Sequence, residues 1–373
     1  MTGCVSGLAA IGDGAGSFTI DSVDIIAPSA GEVRVRMLAA GICHTDHASL
    51  SWPGPLVLGH EGAGVIESVG DGVLGLQPGQ HVLLNWAIPC GLCPQCARGR
   101  GSLCERTHGV DPVLGSSRAA PGHTRWRGRP IERSFNLGTF SEYTLVRAEA
   151  VTALPGALLA QHACILGCGV MTGVGAVLNV AAVQPGESVA VLGCGGVGLS
   201  AIQGARLAGA ATIIAIDRRP EALARATSMG ATHALLAPAQ DGANEELVKQ
   251  VLALSGGRGV DHAFEATAVP ALAFLPLRLV RNGGNAIQLS GSHGSASAQL
   301  PDFMWDKRYQ VPLYGGCLPE RDFPRLIDWA QRGELQLAHM VTHHYSLPRL
   351  QQALDDMLSG VSAKGVILFE AGT

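Results

Sequence analysis

Charge is scarce in this sequence: Asp, Glu, Lys and Arg make up 15% of its 373 residues, and the net charge is only -4. A chain without a basic excess has little to hold a phosphate backbone, so nucleic-acid partners are not expected. The first basic residue is Arg34, so the N-terminus lacks the charged opening of a signal or transit peptide. Residues 151–186 contain no charged residue at all, yet Pro155, Gln161, His162, Asn179, Gln184 and Pro185 interrupt them. A membrane-spanning helix needs about 20 predominantly apolar residues in a row, so the expectation is buried segments of a soluble, cytoplasmic protein with no membrane partner. A protease-type HExxH is missing too, because Gly64 stands where the second histidine after His60-Glu61 would be.

Hydrophobic residues, in contrast, reach 47%, and a chain of this length is expected to divide into two domains. The fifty glycines are interleaved with Val, Ile, Leu and Ala, a pattern of tight turns and close contacts rather than of disorder. Ten cysteines in a chain of this kind are metal ligands or core thiols sooner than disulfides. Four of them fall between residues 90 and 104.

Residues 1–85 read as short strands, at 17–21, 32–38, 64–69 and 81–84, broken by Gly and Pro as in a β-rich barrel or sandwich. The 32–38 strand feeds Gly41-Ile42-Cys43-His44-Thr45-Asp46-His47. Taken alone, this stretch is either a metal-binding loop or a buried free thiol. Cys90, Cys93, Cys96 and Cys104 have spacing that wraps a tetrahedral structural zinc and leaves no position open for chemistry. A zinc-ribbon nucleic-acid module is the other reading of the same spacing, and the acidic net charge weakens it. Arg118, Arg125, Arg127, Arg129 and Arg133 follow in an irregular stretch, an anion-recognising surface or, more simply, solvated charges.

The middle third changes character. A buried-strand pattern at 187–192 leads into Gly193-Cys194-Gly195-Gly196-Val197-Gly198, then a helical run at 199–208, a strand at 211–216 and Asp217. Strand, glycine turn, helix, strand and acid in that order form the dinucleotide fingerprint. The pyrophosphate sits at the helix N-terminus and the acid meets a ribose hydroxyl. Asp217 favours NAD over NADP, with Arg218 and Arg219 beside it. Helices at 218–229 and 245–254 and strands at 232–236, 260–265 and 285–290 continue the alternation, predicting an α/β, doubly wound parallel Rossmann sheet. Helices at 324–330 and 347–358 and a strand at 365–369 follow, and they return the chain to the first domain.

These motifs occur together with Gly59-His60-Glu61-Gly62 and Gly167-Cys168-Gly169. In that order the chain resembles the zinc-containing medium-chain alcohol dehydrogenases over essentially its whole length. Asn85-Trp86 and the run from Tyr314 to Phe323 look most like the actinobacterial branch, which includes mycothiol-dependent formaldehyde and nitrosothiol oxidoreductases. The resemblance implies a Rossmann domain at 170–313 inserted into a β-rich, GroES-like catalytic domain at 1–169 and 314–373. It implies a catalytic zinc on Cys43, His60 and Cys168, with Glu61 nearby and Asp46 orienting His60. Thr45 resembles the hydroxyl that takes the substrate proton, and His44 and Lys364 resemble pyrophosphate contacts. Trp86 and Phe140 fall where the family lines its substrate pocket. The implied reaction is hydride transfer between a primary alcohol, allylic or aromatic ones included, or an aldehyde and NAD, with two zinc ions per chain, in a homodimer. A close alternative is oxidation of S-(hydroxymethyl)mycothiol or reduction of nitrosomycothiol; one of another class is a non-catalytic zinc and nucleotide-binding protein.

Two departures stand out. The relay histidine that many members carry five residues after the first zinc ligand is Ala48 here, with His47 beside it. The stretch 48–58 also lacks the acidic residues that glutathione-dependent relatives use.

Overall fold

A computed structural model of the chain describes residues 3–105, 124–238, 244–291 and 294–369. The chain divides into two units, Met1–Cys168 with Leu318–Thr373, and Gly169–Cys317. The sequence placed the second joint four residues earlier, at 313/314. Residues 314–317 belong with the second unit because the Leu313–Gly316 turn packs on the Gly169–Gly175 helix and on the Ala176–Val180 turn after it, where Asn179 Nδ2 donates to Gly315 O at 3.3 Å.

The first unit is built on two sheets. In one, the strand Glu32–Gly41 alternates Val33, Val35 and Met37 into the core and pairs antiparallel with Glu61–Val69, Tyr143–Arg147 and Gly365–Leu368. The register is what matters for chemistry. Gly41 lies opposite Glu61 and also opposite Val366, while Gly62 lies opposite Leu84. The loops leaving these strands, which carry Cys43, His60, Lys364 and Trp86, therefore start from neighbouring points. The other sheet contains Val5–Gly12, Phe18–Ile25, Leu56–Val57, Thr124–Trp126, Arg129–Pro130 and Glu132–Arg133. Val5–Gly12 was not expected from the sequence. Its small residues Gly7, Ala9 and Ala10 dilute the alternation that marks a strand.

In the second unit six strands run parallel, in the order His233–Leu236, Thr212–Asp217, Ser188–Leu192, Val260–Glu265, Val280–Gln288 and Arg308–Gln310. Numbered along the chain this is 3-2-1-4-5-6, the doubly wound dinucleotide arrangement. The strand expected at 285–290 starts five residues earlier. Gly283 and Gly284 look like a break in the sequence, but they are absorbed as an irregularity of register against Val260 and His262.

The charge-free stretch is divided among the strand Val151–Ala153, the helices Ala160–Ala163 and Gly169–Gly175, and the turns around them. Among the described residues no single helix is long and apolar enough to cross a membrane. The segments Ala160–Gly167 and Gly169–Val180 reach that length only when added across the break at Cys168.

Candidate active site

Cys43 ends the loop from the Glu32–Gly41 strand and caps the short helix His44–Ser49. The cap is built by Asp46, whose Oδ2 accepts from Cys43 N at 2.8 Å. The other oxygen of Asp46 lies 2.7 Å from Nδ1 of His60. One buried carboxylate thus fixes both the backbone at Cys43 and the ring of His60. The opposite ring nitrogen, His60 Nε2, is buried and makes no hydrogen bond of sound geometry. It faces the thiols: ligand atoms from Cys43, His60, Glu61 and Cys168 all lie within 4.8 Å of one another. Cys168 reaches this point because Gly167 passes close to the Leu84 strand, where a Cβ would stand 2.4 Å from Leu84 O.

Buried among these groups, Lys364 Nζ donates to Ile42 O at 2.9 Å and lies 2.7 Å from Glu61. The resemblance makes Lys364 a phosphate contact; in the structure its ammonium is engaged inside the site, beside a fully buried carboxylate. Burial pushes the Glu61 carboxyl up to about 7, against the pull of Lys364. The hydrogen bond with Cys168, opposed by burial, holds Cys43 well below the ordinary thiol range; the same bond and burial push Cys168 well above it. Burial favours a neutral His60, but the charge and hydrogen bond of Asp46 outweigh it and raise the ring's pKa. An orphaned imidazole nitrogen, two thiols sharing a proton and a carboxylate behind the ring make a donor set that fits a zinc ion. Thr45, half-buried, has Oγ1 3.8 Å from Cys43 Sγ, whereas His44 and His47 are exposed.

The second cluster is local. Cys90, Cys93, Cys96 and Cys104 bring four sulfurs within 4.8 Å of one another, with Pro94 opening the short helix Pro94–Ala97 between them. Backbone N–H groups point at the sulfurs: Cys90 N at 3.3 Å from Cys104 Sγ, Cys93 N at 3.4 Å from Cys90 Sγ and Glu105 N at 3.4 Å from Cys93 Sγ. The N–H groups of Cys96 and Glu105 hold Cys93 below the usual thiol range, while burial pushes Cys96 up to about 12. Four thiols crowded in this way, with amides aimed at them, also fit zinc.

In the second unit, Gly193 to Gly198 form the turn between the Ser188–Leu192 strand and the helix Gly196–Leu207. Gly198 is required by contact, since a Cβ there would lie 1.8 Å from Gly193 O. Gly195 caps the helix, leaving the backbone N–H groups of Gly196, Val197 and Gly198 at its start. Asp217, at the end of the neighbouring strand, accepts from Cys194 N at 2.8 Å and Arg219 N at 2.9 Å, so its carboxylate braces the turn; Arg218 is exposed.

Residues 29–156 match the alcohol dehydrogenase GroES-like domain family, and residues 196–332 match the zinc-binding dehydrogenase family. A protein named S-(hydroxymethyl)glutathione dehydrogenase from Synechocystis sp. is 36% identical over 358 residues, covering 93% of this chain and 95% of that one. The chain belongs to the zinc-containing medium-chain alcohol dehydrogenases. An Escherichia coli protein, also named S-(hydroxymethyl)glutathione dehydrogenase, is 35% identical over 94% of this chain and 96% of its own. Among solved structures, an alcohol dehydrogenase zinc-binding domain protein from Burkholderia ambifaria is 33% identical with a TM-score of 0.90. The match covers 99% of this chain and 100% of that one. Benzyl alcohol dehydrogenase from Acinetobacter calcoaceticus is 29% identical with a TM-score of 0.88, covering 98% and 100%.

For an alcohol dehydrogenase the surroundings of His60 decide what substrate can approach. The ring of Trp86 lies 5.3 Å from that of Phe135. Phe140 belongs to the core. It is fully buried in a core cluster with Ile42, Leu58 and Leu350, its backbone tied to Leu58 O at 2.9 Å. The ring beside His60 is that of Phe135, 4.7 Å away, with Trp52 5.4 Å beyond it. Phe135 and Asn136 both have positive φ, 53° and 58°, a strained turn that swings the ring inward. No spacing pattern pairs residues 52, 86 and 135, so sequence reasoning missed two of the three rings. The arginine stretch does not form one surface. Arg125, Arg127 and Arg129 are exposed, Arg127 pairing with Asp21 at 3.1 Å, while Arg133 is buried and its pKa lowered to about 10 by burial. Arg118 lies outside the described residues.

Proposed function

We propose that this enzyme oxidises primary alcohols, aromatic ones best, with NAD as hydride acceptor and zinc at both clusters. The observation that carries the reading is the orphaned His60 Nε2, aimed at two thiols while Asp46 holds the other ring nitrogen. Zinc held by Cys43, His60 and Cys168 supplies Lewis acidity, which eases ionisation of a hydroxyl group. Asp46 fixes the imidazole tautomer so that Nε2 is the free ligand atom. The Thr45 hydroxyl, next to Cys43, accepts the alcohol proton as it hands its own on to the cofactor ribose. Lys364 restrains Glu61, whose carboxylate lies within 4.8 Å of the ligand atoms. The turn at Gly193, Gly195, Gly196, Val197 and Gly198 holds the NAD pyrophosphate, and Asp217, at the end of the next strand, disfavours a 2′-phosphate by charge. The rings of Phe135, Trp86 and Trp52 favour a flat apolar substrate over a small aliphatic one. Two zinc ions per chain, a homodimer and a cytoplasmic location belong to the same proposal and rest on family likeness.

A second reading is favoured by the printed names of the relatives from Synechocystis and Escherichia coli: the substrate is the hydroxymethyl adduct of formaldehyde with a low-molecular-weight thiol. The stretch 48–58 has no acidic residue, which argues for a thiol other than glutathione, such as mycothiol. NADH formation measured with benzyl, allylic and aliphatic alcohols, and with formaldehyde in the presence and absence of glutathione or mycothiol, separates the two. Turnover of benzyl alcohol without any thiol is the expected outcome. Turnover of formaldehyde only when a thiol is added, with no alcohol oxidised, would replace the first reading by the second.

A further inference from the structure

Glu265 is fully buried, and among the described residues no cation pairs with it. A buried carboxylate without a counter-ion is costly and persists only where donors satisfy it. Here Oε1 accepts from Thr267 N at 2.5 Å and from the Thr267 hydroxyl, and Oε2 accepts from the Ser290 hydroxyl. Thr267 Oγ1 in turn accepts from Val269 N at 3.1 Å. Between them Ala268 is held at a φ of 61°, a conformation that a residue with a Cβ adopts at a cost. The network runs on: Gln288 Nε2 donates to Ser290 O at 3.2 Å, and the Tyr309 hydroxyl donates to Gln288.

Its place in the sheet gives the network a purpose. Glu265 is the last residue of its strand, opposite Leu192 on one side and Gln288 on the other. In a doubly wound sheet the dinucleotide lies outside the carboxyl ends of the strands, across the point where strand order reverses. That point falls between Ser188–Leu192 and Val260–Glu265. Asp217 and the glycine turn serve the half that takes the adenosine moiety. Glu265, Ser290 and Tyr309 belong to the other half, and the 266–269 loop they secure packs on the glycine turn itself, where a Cβ at Gly193 would lie 2.8 Å from Ala266 O.

We propose that Glu265 is a positioning residue for the nicotinamide half of the cofactor, acting through Thr267 and Ser290. The proposal rests on the NAD reading above, and the test separates the two. Dissociation constants for NADH and for ADP-ribose, which lacks the nicotinamide, are measured by calorimetry on the zinc-loaded protein. Glu265→Gln keeps the volume but puts a donor where an acceptor is needed. It should weaken NADH by about tenfold and leave ADP-ribose within about twofold. KM for NAD should rise with it, and KM for the alcohol should not. Thr267→Val should separate the two nucleotides in the same direction, and Thr267→Ser, which keeps the hydroxyl, should bind as wild type. If Glu265→Gln does not fold, Thr267→Val and Ser290→Ala carry the same measurement. Equal weakening of both nucleotides, or unchanged NADH affinity, overturns the proposal. Wild-type protein that binds neither nucleotide overturns the NAD reading, and this proposal with it.

Discussion

Four cysteines within one loop, residues 90–104, form one cluster; Cys43, His60, Glu61 and Cys168, drawn from three separate segments, form the other. The loop needs little from the rest of the fold. Its sulfurs are fixed by one short helix, one short turn and N–H groups of the same segment. The scattered cluster is a product of tertiary structure, assembled by strand register, by the close pass of Gly167 and by one bridging carboxylate. A metal in the loop therefore acts chiefly on the stability of its segment. A metal in the scattered cluster acts on chemistry, at a place the protein shapes in advance.

The largest test of that division is Cys43→Ala. NADH formation from benzyl alcohol should fall below detection while one zinc per chain remains by elemental analysis and the melting temperature changes little. Cys93→Ala should do the reverse. One zinc should again be lost, but the cost should appear as stability, about 4 kcal/mol or more by denaturant titration, with residual activity in whatever stays folded. Equal stability losses in the two variants would erase the distinction. Asp46→Asn keeps the shape of the side chain but loses the charge behind His60. Zinc affinity or kcat/KM should fall about 10- to 100-fold, and the zinc bound by the four-cysteine loop should be untouched. The smallest effect is expected of Phe135→Leu. Loss of one ring contact, worth about 1 kcal/mol, should cut the preference for benzyl alcohol over ethanol by about fivefold in kcat/KM. An unchanged ratio would mean that the aromatic wall does not select substrate.

Legibility in the sequence followed the same division. The four-cysteine loop and the strand-turn-helix-strand-Asp217 run could be read directly, because the residues that cooperate lie near one another along the chain. Cys43, His60 and Cys168 could be grouped only through family resemblance. No local pattern encodes the pairing of Gly41 with Glu61 or the approach of Gly167 to Leu84. Phe135 escaped notice because its direction depends on two consecutive positive φ angles at non-glycine residues, which no propensity signals. Phe140, named in its place, is an equally large ring that the fold uses as core. Lys364 shows the remaining limit. A lysine near the C-terminus looks free to meet an anion until the pairing of Val366 with Gly41 places it next to a buried glutamate.

Asp46 closes a helix cap and orients the His60 ring with the same carboxylate. The shape of the cradle is thus held by hydrogen bonds that exist before any ion arrives. Such a cradle is a template rather than a trap. It discriminates among divalent ions by donor softness and coordination geometry, and not by folding around one of them. Ions that accept a tetrahedral sulfur–nitrogen shell, cobalt among them, should therefore exchange into this position in the folded protein without unfolding it. Which metal the enzyme carries then depends on the supply it meets as well as on its own sequence.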